Sequence, residues 1–232
     1  MTENELGQPI GDPLGDWTPP QFPSPTLMQG SHVVLEPLSE SHAPALFESL
    51  VTSPESLWTY MSFGPFSSVA DLEQTLVELI EADGWLPYAI VVGSKPVGFA
   101  SYLRIDPPSG VLEIGSIVFS EVLQRTTAAT EAIFMMIDRA FQTGYRRCEW
   151  KCDALNEPSR RAAQRLGFTY EGTFRKATHY KGRNRDTAWY AIVDEEWPRI
   201  RSAFETWLEP DNFDRDGLQV RSLSDVLADL SG

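Results

Sequence analysis

The chain has 232 residues, enough for one sizeable core but short for two independent domains. Its 33 acidic residues against 19 basic ones give a net charge of −14, which repels nucleic-acid backbones and favours approach of cationic ligands such as an amine, although acidity also serves solubility alone. No apolar run nears the roughly 20 residues that span a bilayer, and the first ten residues lack signal-peptide character, so a soluble, cytoplasmic protein with no nucleic-acid or membrane partner is expected.

Residues 7–30 hold six prolines, Pro9, Pro13, Pro19, Pro20, Pro23 and Pro25, and four glycines, which excludes helix or interior strand over most of the segment. Residues 1–30 therefore form an arm, with Leu14, Trp17, Phe22 and Leu27 expected to fasten part of it to the body and disorder of the first ten residues as the alternative. A strand follows at 32–38, then a helix at 41–50 with Ala45, Leu46 and Leu50 inward and His42 exposed. Beyond an aromatic stretch at 58–66, Leu72, Leu76, Leu79 and Ile80 share one face of a helix over 69–82. Strands are expected at 88–92, 97–105 and 111–119, the first two joined by a turn at Lys95-Pro96. A helix over 130–142 is stopped by Gly144, and a strand at 146–153 precedes a helix over 157–166, capped by Asn156 and closed by Gly167. Two strands near 168–180 and 185–193 flank a turn at 181–184, and a helix over 195–207 ends the main domain, residues 31–208. A polar tail, 209–232, completes the chain. This order gives an α+β fold with a mixed, mostly antiparallel sheet flanked by helices, not a doubly wound parallel one.

The strand at 146–153 alternates with period two, placing Cys148, Trp150 and Cys152 on one face. Four residues along a strand is too far for a disulfide, and no histidine lies near enough to make a zinc site, so both thiols are expected to be buried and free. His32, His42 and His179 are too scattered for a metal centre, and no metal is expected.

The segment Gln124-Arg125-Thr126-Thr127-Ala128-Ala129-Thr130-Glu131 joins a strand to a helix through small residues. Such a loop can present unpaired backbone N–H groups at the positive end of a helix dipole, an anion site that Arg125 would strengthen; an ordinary strand-to-helix turn is the alternative. With Leu112-Glu113-Ile114-Gly115 before it, and Asn156-Glu157-Pro158-Ser159, Leu166-Gly167-Phe168, Phe174-Arg175 and Tyr180 to Asp186 after it, the segment resembles the GNAT superfamily of acyl-CoA-dependent N-acyltransferases. Within it the chain is similar to the branch of RimJ/RimL-type ribosomal-protein N-terminal acetyltransferases. Thr127 stands where the family's phosphate loop usually has its central glycine.

The resemblance implies a GNAT-like sheet, acetyl-CoA or a longer acyl-CoA such as succinyl-CoA as cosubstrate, and a primary amine of a protein N-terminus, polyamine or other small molecule as acceptor. It implies Glu113 as general base, with a solvated or salt-bridged strand residue as the alternative. Ile117, Val118 and Phe119 would pair with pantetheine beside a bulge. Gln124, Arg125, Thr126, Thr127, Ala128, Ala129 and Thr130 would hold the diphosphate, and Asn156 would contact CoA. The tyrosine acid of many relatives is replaced by Ala163, which makes Ser159 the candidate proton donor to the thiolate, although a serine there is commonly a cap. The acceptor would lie between the loop at 58–66 and the hairpin at 175–186, with Trp58, Tyr60, Phe63, Phe66, Arg175 and Tyr180 as its contacts; loop packing is the alternative for the aromatic residues. Arg175, Lys181, Arg183 and Arg185 form the one basic cluster. A homo-oligomer is compatible with the chain, and a CoA-sensing domain without turnover is the non-enzymatic alternative.

Overall fold

The computed structural model describes residues 2–230. Thr2–Glu3 (β1) and Pro9–Ile10 (β2) form a small exposed hairpin of their own, so these residues have structure rather than none. The main sheet has eight strands: Met28–Gln29 (β3), Val34–Pro37 (β4), Leu86–Val92 (β5), Lys95–Asp106 (β6), Val111–Phe119 (β7), Arg147–Asp153 (β8), Thr169–Tyr180 (β9) and Arg183–Val193 (β10). They lie in the order β3-β4-β5-β6-β7-β8-β10-β9. Every neighbouring pair is antiparallel except β7 and β8, the mixed, mostly antiparallel α+β sheet expected.

The helices are Ala43–Val51 (α1), Val69–Glu81 (α2), Thr127–Gln142 (α3), Glu157–Arg165 (α4), Trp197–Leu208 (α5) and Leu223–Asp229 (α6). Leu72, Leu76 and Leu79 recur at helical spacing along α2, behind a Ser68 cap that accepts from the Asp71 N–H, and bury that stripe against the sheet. With Leu46 and Leu50 of α1, Trp58, Ala89, Val91, Phe99 and Val118 they make a core on one face. Ala132, Ile133, Met136 and Ile137 of α3, together with α5 and α6, make the larger core on the other. Deleting a fully buried leucine such as Leu76 would cost about 2–5 kcal/mol.

Several expectations change. The β5–β6 turn is Gly93-Ser94, both at positive φ, while Lys95 and Pro96 belong to β6. His42 is largely covered and its Nε2 lies 3.2 Å from Glu36, because a short 3-10 turn over Glu40–His42 folds it back. Ile80 is more than a third exposed, lying off the Leu72/Leu76/Leu79 stripe. The β9–β10 turn narrows to Lys181-Gly182, and the tail carries α6, whose Ser222 and Asp225 form a capping box. Cys148 and Cys152 are buried and free, as expected.

The arm does lie on the body, but Leu14, Phe22 and Leu27 are exposed and only Trp17 of the expected anchors holds it. Trp17 donates from Nε1 to the Gly144 carbonyl at 3.1 Å, and the Arg146 guanidinium sits 5.4 Å from its ring. Tyr145 donates to the Gln21 carbonyl at 3.2 Å, and the Glu131 carboxylate accepts from the N–H groups of Ser31 and His32.

Candidate active site

The parallel pair is the singular place in the sheet. β7 and β8 are in register only at Val111 with Arg147, Leu112 with Cys148 and Glu113 with Glu149. Beyond Glu113 the strands part, β7 staying with β6 and β8 with β10. A register shift where β7 passes Ser101 and Phe99 marks a bulge at Ser116, whose φ is +49° and whose Oγ is buried without a partner. Ile117, Val118 and Phe119 follow, with one strand edge facing the gap.

Glu113 lies at the apex of this V. It is 5% exposed, and its Oε2 receives Arg104 at 2.9 Å and Lys151 at 3.0 Å. Burial raises its pKa above the ordinary glutamate value, and the two cations oppose that rise without cancelling it. Both of these contacts go to Oε2, which leaves Oε1 outside the two ion pairs. Gly115 lies beside it, and a Cβ there would stand 3.1 Å from Oε1. Glu113 is thus ion-paired, as the salt-bridged alternative had it, and stands at the splay.

The network runs on. Lys151 lies 2.6 Å from Glu149, Arg147 bonds Glu149 at 2.8 Å and Glu171 at both oxygens, and the Lys151 ammonium sits 3.8 Å from the centre of the Trp189 ring. Arg104, Glu149, Lys151, Asp153 and Trp189 were not singled out from the sequence. Their signal was the charged half of the β8 alternation, Glu149, Lys151 and Asp153, opposite the Cys148/Trp150/Cys152 face. While α1 and α2 pack on β5 and β6, the corresponding face of β8 and β10 carries these charged and aromatic groups. Trp189 Nε1 and Arg185 Nε are buried there without hydrogen-bond partners.

The anion segment is more helical than expected, since α3 begins at Thr127 rather than Thr130. Thr126 caps it by accepting from the Ala129 N–H, and Arg125 turns into the helix at φ +62°. The Thr130 N–H meets the Thr126 carbonyl, so those of Thr127 and Ala128 remain open at the helix start. Gln124 donates to the Phe119 carbonyl, tying the loop to the end of β7. Thr130 receives Arg165, and Glu131 is spent on the arm.

Asn156 caps α4 by accepting from the Ser159 N–H, so the cap is Asn156 and not Ser159. Ser159 Oγ accepts from Trp150 Nε1 at 3.0 Å, and its hydroxyl also hydrogen-bonds the Cys152 side chain. Ala163 is wholly buried. Of the candidate acceptor contacts, Trp58 is 4% exposed and packs with Phe63 and Phe66, while Phe63 also meets Phe99: these rings make loop core. Tyr60 donates to the Leu155 carbonyl and Tyr180 to Asp153 Oδ2 at 2.7 Å. Lys181 donates to the carbonyls of Trp58 and Gly64, so the hairpin tip holds the 58–66 loop. Arg175 is exposed.

A strand splay beside a buried carboxylate, followed by a helix N-terminus, is the arrangement of an acyl-CoA-dependent N-acyltransferase, and the chain belongs to the GNAT acetyltransferase family, whose domain matches residues 32–169. It is an acetyl-CoA-dependent N-acetyltransferase of RimJ/RimL type. A solved GCN5-related N-acetyltransferase from Brucella melitensis is 41% identical, covering 93% of this chain and 100% of that one, with a TM-score of 0.90. The "Putative ribosomal N-acetyltransferase YdaF" of Bacillus subtilis (strain 168) is 26% identical over 181 residues, 74% of this chain and 97% of the relative. A Salmonella typhimurium acetyltransferase described as modifying the N-terminal serine of ribosomal protein L7/L12 shares the fold at 23% identity, with a TM-score of 0.62 over 71% of this chain and 96% of that one. Among the described residues no helix is long and apolar enough to cross a membrane.

Proposed function

We propose that the chain acetylates the α-amino group of a polypeptide N-terminus, with Glu113 taking the proton from the attacking amine. The observation that carries this reading is Glu113 itself, a buried carboxylate of raised pKa at the apex of the β7–β8 splay with one oxygen outside its ion pairs. A carboxylate of raised pKa is a stronger base once ionised, and proton transfer of this kind contributes roughly 10²- to 10⁴-fold.

The residues fit the cosubstrate. The edge of Ile117–Phe119 would take pantetheine, and the open N–H groups of Thr127 and Ala128, with Gln124, Arg125 and the small Ala129 around them, would take the diphosphate; acetyl-CoA supplies the activated carbonyl. Ser159, whose oxygen accepts from Trp150 and whose hydroxyl bonds Cys152, would give its proton to the departing sulfur by exchanging the Cys152 bond for it. On the acceptor side, Trp189 Nε1 and Arg185 Nε are donors without acceptors, matching the carbonyl oxygens that a peptide carries and a polyamine lacks. The ribosomal descriptions of two relatives support the same choice. An α-amino group near pKa 8 is also neutral in roughly one molecule in ten at pH 7, against about one in a thousand for lysine.

The test is a panel of acceptors with acetyl-CoA, read by mass spectrometry: peptides with free N-termini should be acetylated at the α-amine, and preference for polyamines would overturn the peptide assignment. Glu113→Gln should lower kcat by roughly 10²- to 10³-fold with acetyl-CoA affinity unchanged; equal loss of both would sink the base assignment. Thermal stabilisation by acetyl-CoA against succinyl-CoA separates the acyl chains, a comparison that starts with Lys181 already committed to the 58–66 loop.

A further inference from the structure

Lys151 is buried where lysine is rarely buried, with 4% of its side chain exposed. Its ammonium spans the two diverging strands, 3.0 Å from Glu113 Oε2 on β7 and 2.6 Å from Glu149 Oε2 on β8. It does so just past Glu113 and Glu149, the last residues at which the two strands are in register. The Trp189 ring closes on it from β10, 3.8 Å away. A lysine held this way loses much of its rotamer freedom, and a solvated surface lysine has no such set of partners.

We propose that Lys151 is a positioning residue of the acetyl transfer: it fixes Glu113 across the splay, holds Oε2 so that Oε1 is presented to the amine, and sets a buried positive charge against the carboxylate. The proposal rests on Glu113 being the base. The charged and titratable groups around Glu113 are Arg104 from β6, Lys151 and Glu149 from β8, and the neighbouring Cys148 thiol. Arg104 is 62% exposed and solvent-screened, so the buried Lys151 supplies the stronger of the two opposing charges, whereas Glu149 acts in the other direction and is itself neutralised by Lys151 and Arg147.

The sign follows. Removing a positive charge from beside a carboxylate disfavours its ionised form, so the pH at which the base becomes active must rise. Lys151→Met should move the acid limb of kcat/KM upward by about one pH unit or more, and recover most of its rate above that limb. Lys151→Arg, which keeps the charge, should leave the limb near its original place. The carboxyl carbon of Glu113, followed by NMR in glutamate-labelled enzyme, should titrate upward by the same amount in Lys151→Met, a readout independent of turnover. A uniform loss of rate at every pH, with the Glu113 titration unmoved, would reduce Lys151 to a structural strut and overturn the proposal. If the limb persists in Glu113→Gln, the base is another group and the base assignment fails; an NMR shift without a kinetic one separates that failure from the first.

Discussion

Tyr180 and Tyr145 carry a pH signature of their own. Burial is the main cause that pushes both phenols up to about 12, and in Tyr180 the hydrogen bond to Asp153 adds to it. A folded value above the unfolded value of about 10 means that the native state holds these protons more tightly. Their contribution is therefore complete below about pH 10 and is lost as pH rises through about 12. Melting temperature should fall across that alkaline window, and Tyr180→Phe should remove part of the fall; an unchanged curve would show that the bond to Asp153 adds nothing. Gly115 is a second residue with a separable effect. Gly115→Ala would set a methyl 2.9 Å from Leu103 Cδ2, which can shift, and 3.1 Å from Glu113 Oε1. Activity should drop by roughly 10²-fold with only a modest loss of thermal stability, because misplacement at the reacting centre costs more than it does in packing. The sequence pointed to Glu113 and Asn156 by motif, but not to Lys151: within one strand a buried lysine and a solvated one look alike until the partners on β7 and β10 are known.

At the scale of elements, the helices were legible wherever an apolar stripe and a cap coincided, as in α2 behind Ser68 and α4 behind Asn156. The start of α3 was not, because Thr127-Ala128-Ala129 has no strong apolar period and reads equally well as loop; Thr126, three residues before the N–H it accepts, was the available sign. The aromatic stretch at 58–66 was open for a related reason, since composition shows that rings will cluster but not whether they face a ligand or one another. The Lys181 contacts give this loop a measurable role. Lys181→Ala should free the 58–66 loop, raising KM for the amine while leaving that for acetyl-CoA unchanged; an equal rise in both would place the loop on the cosubstrate side. The arm is an element too. Gly110→Ala would put a Cβ 2.6 Å from the Trp17 ring at a position with φ +67°, and limited proteolysis should then cut the arm faster than in the parent chain.

For the whole molecule, charge and topology decide. A net charge of −14 predicts that kcat/KM for cationic N-terminal peptides falls with ionic strength, more steeply than for neutral ones. The mixed, mostly antiparallel sheet was readable from the antiparallel run followed by strand and helix alternation, and the resemblance implied a bulge beside Ile117–Phe119, but the residue at which β7 and β8 part was not legible, since nothing in either strand states where pairing stops.

That separation has a consequence for backbone dynamics. In a strand, alternate amides point to opposite neighbours, so those of β7 beyond Glu113 and of β8 beyond Glu149 that face the gap have no strand to receive them. Their hydrogens should exchange with solvent far faster than those on the paired edges a residue away. Addition of acetyl-CoA should slow exchange along the β7 edge, leaving a residue-by-residue footprint of where the cosubstrate lies.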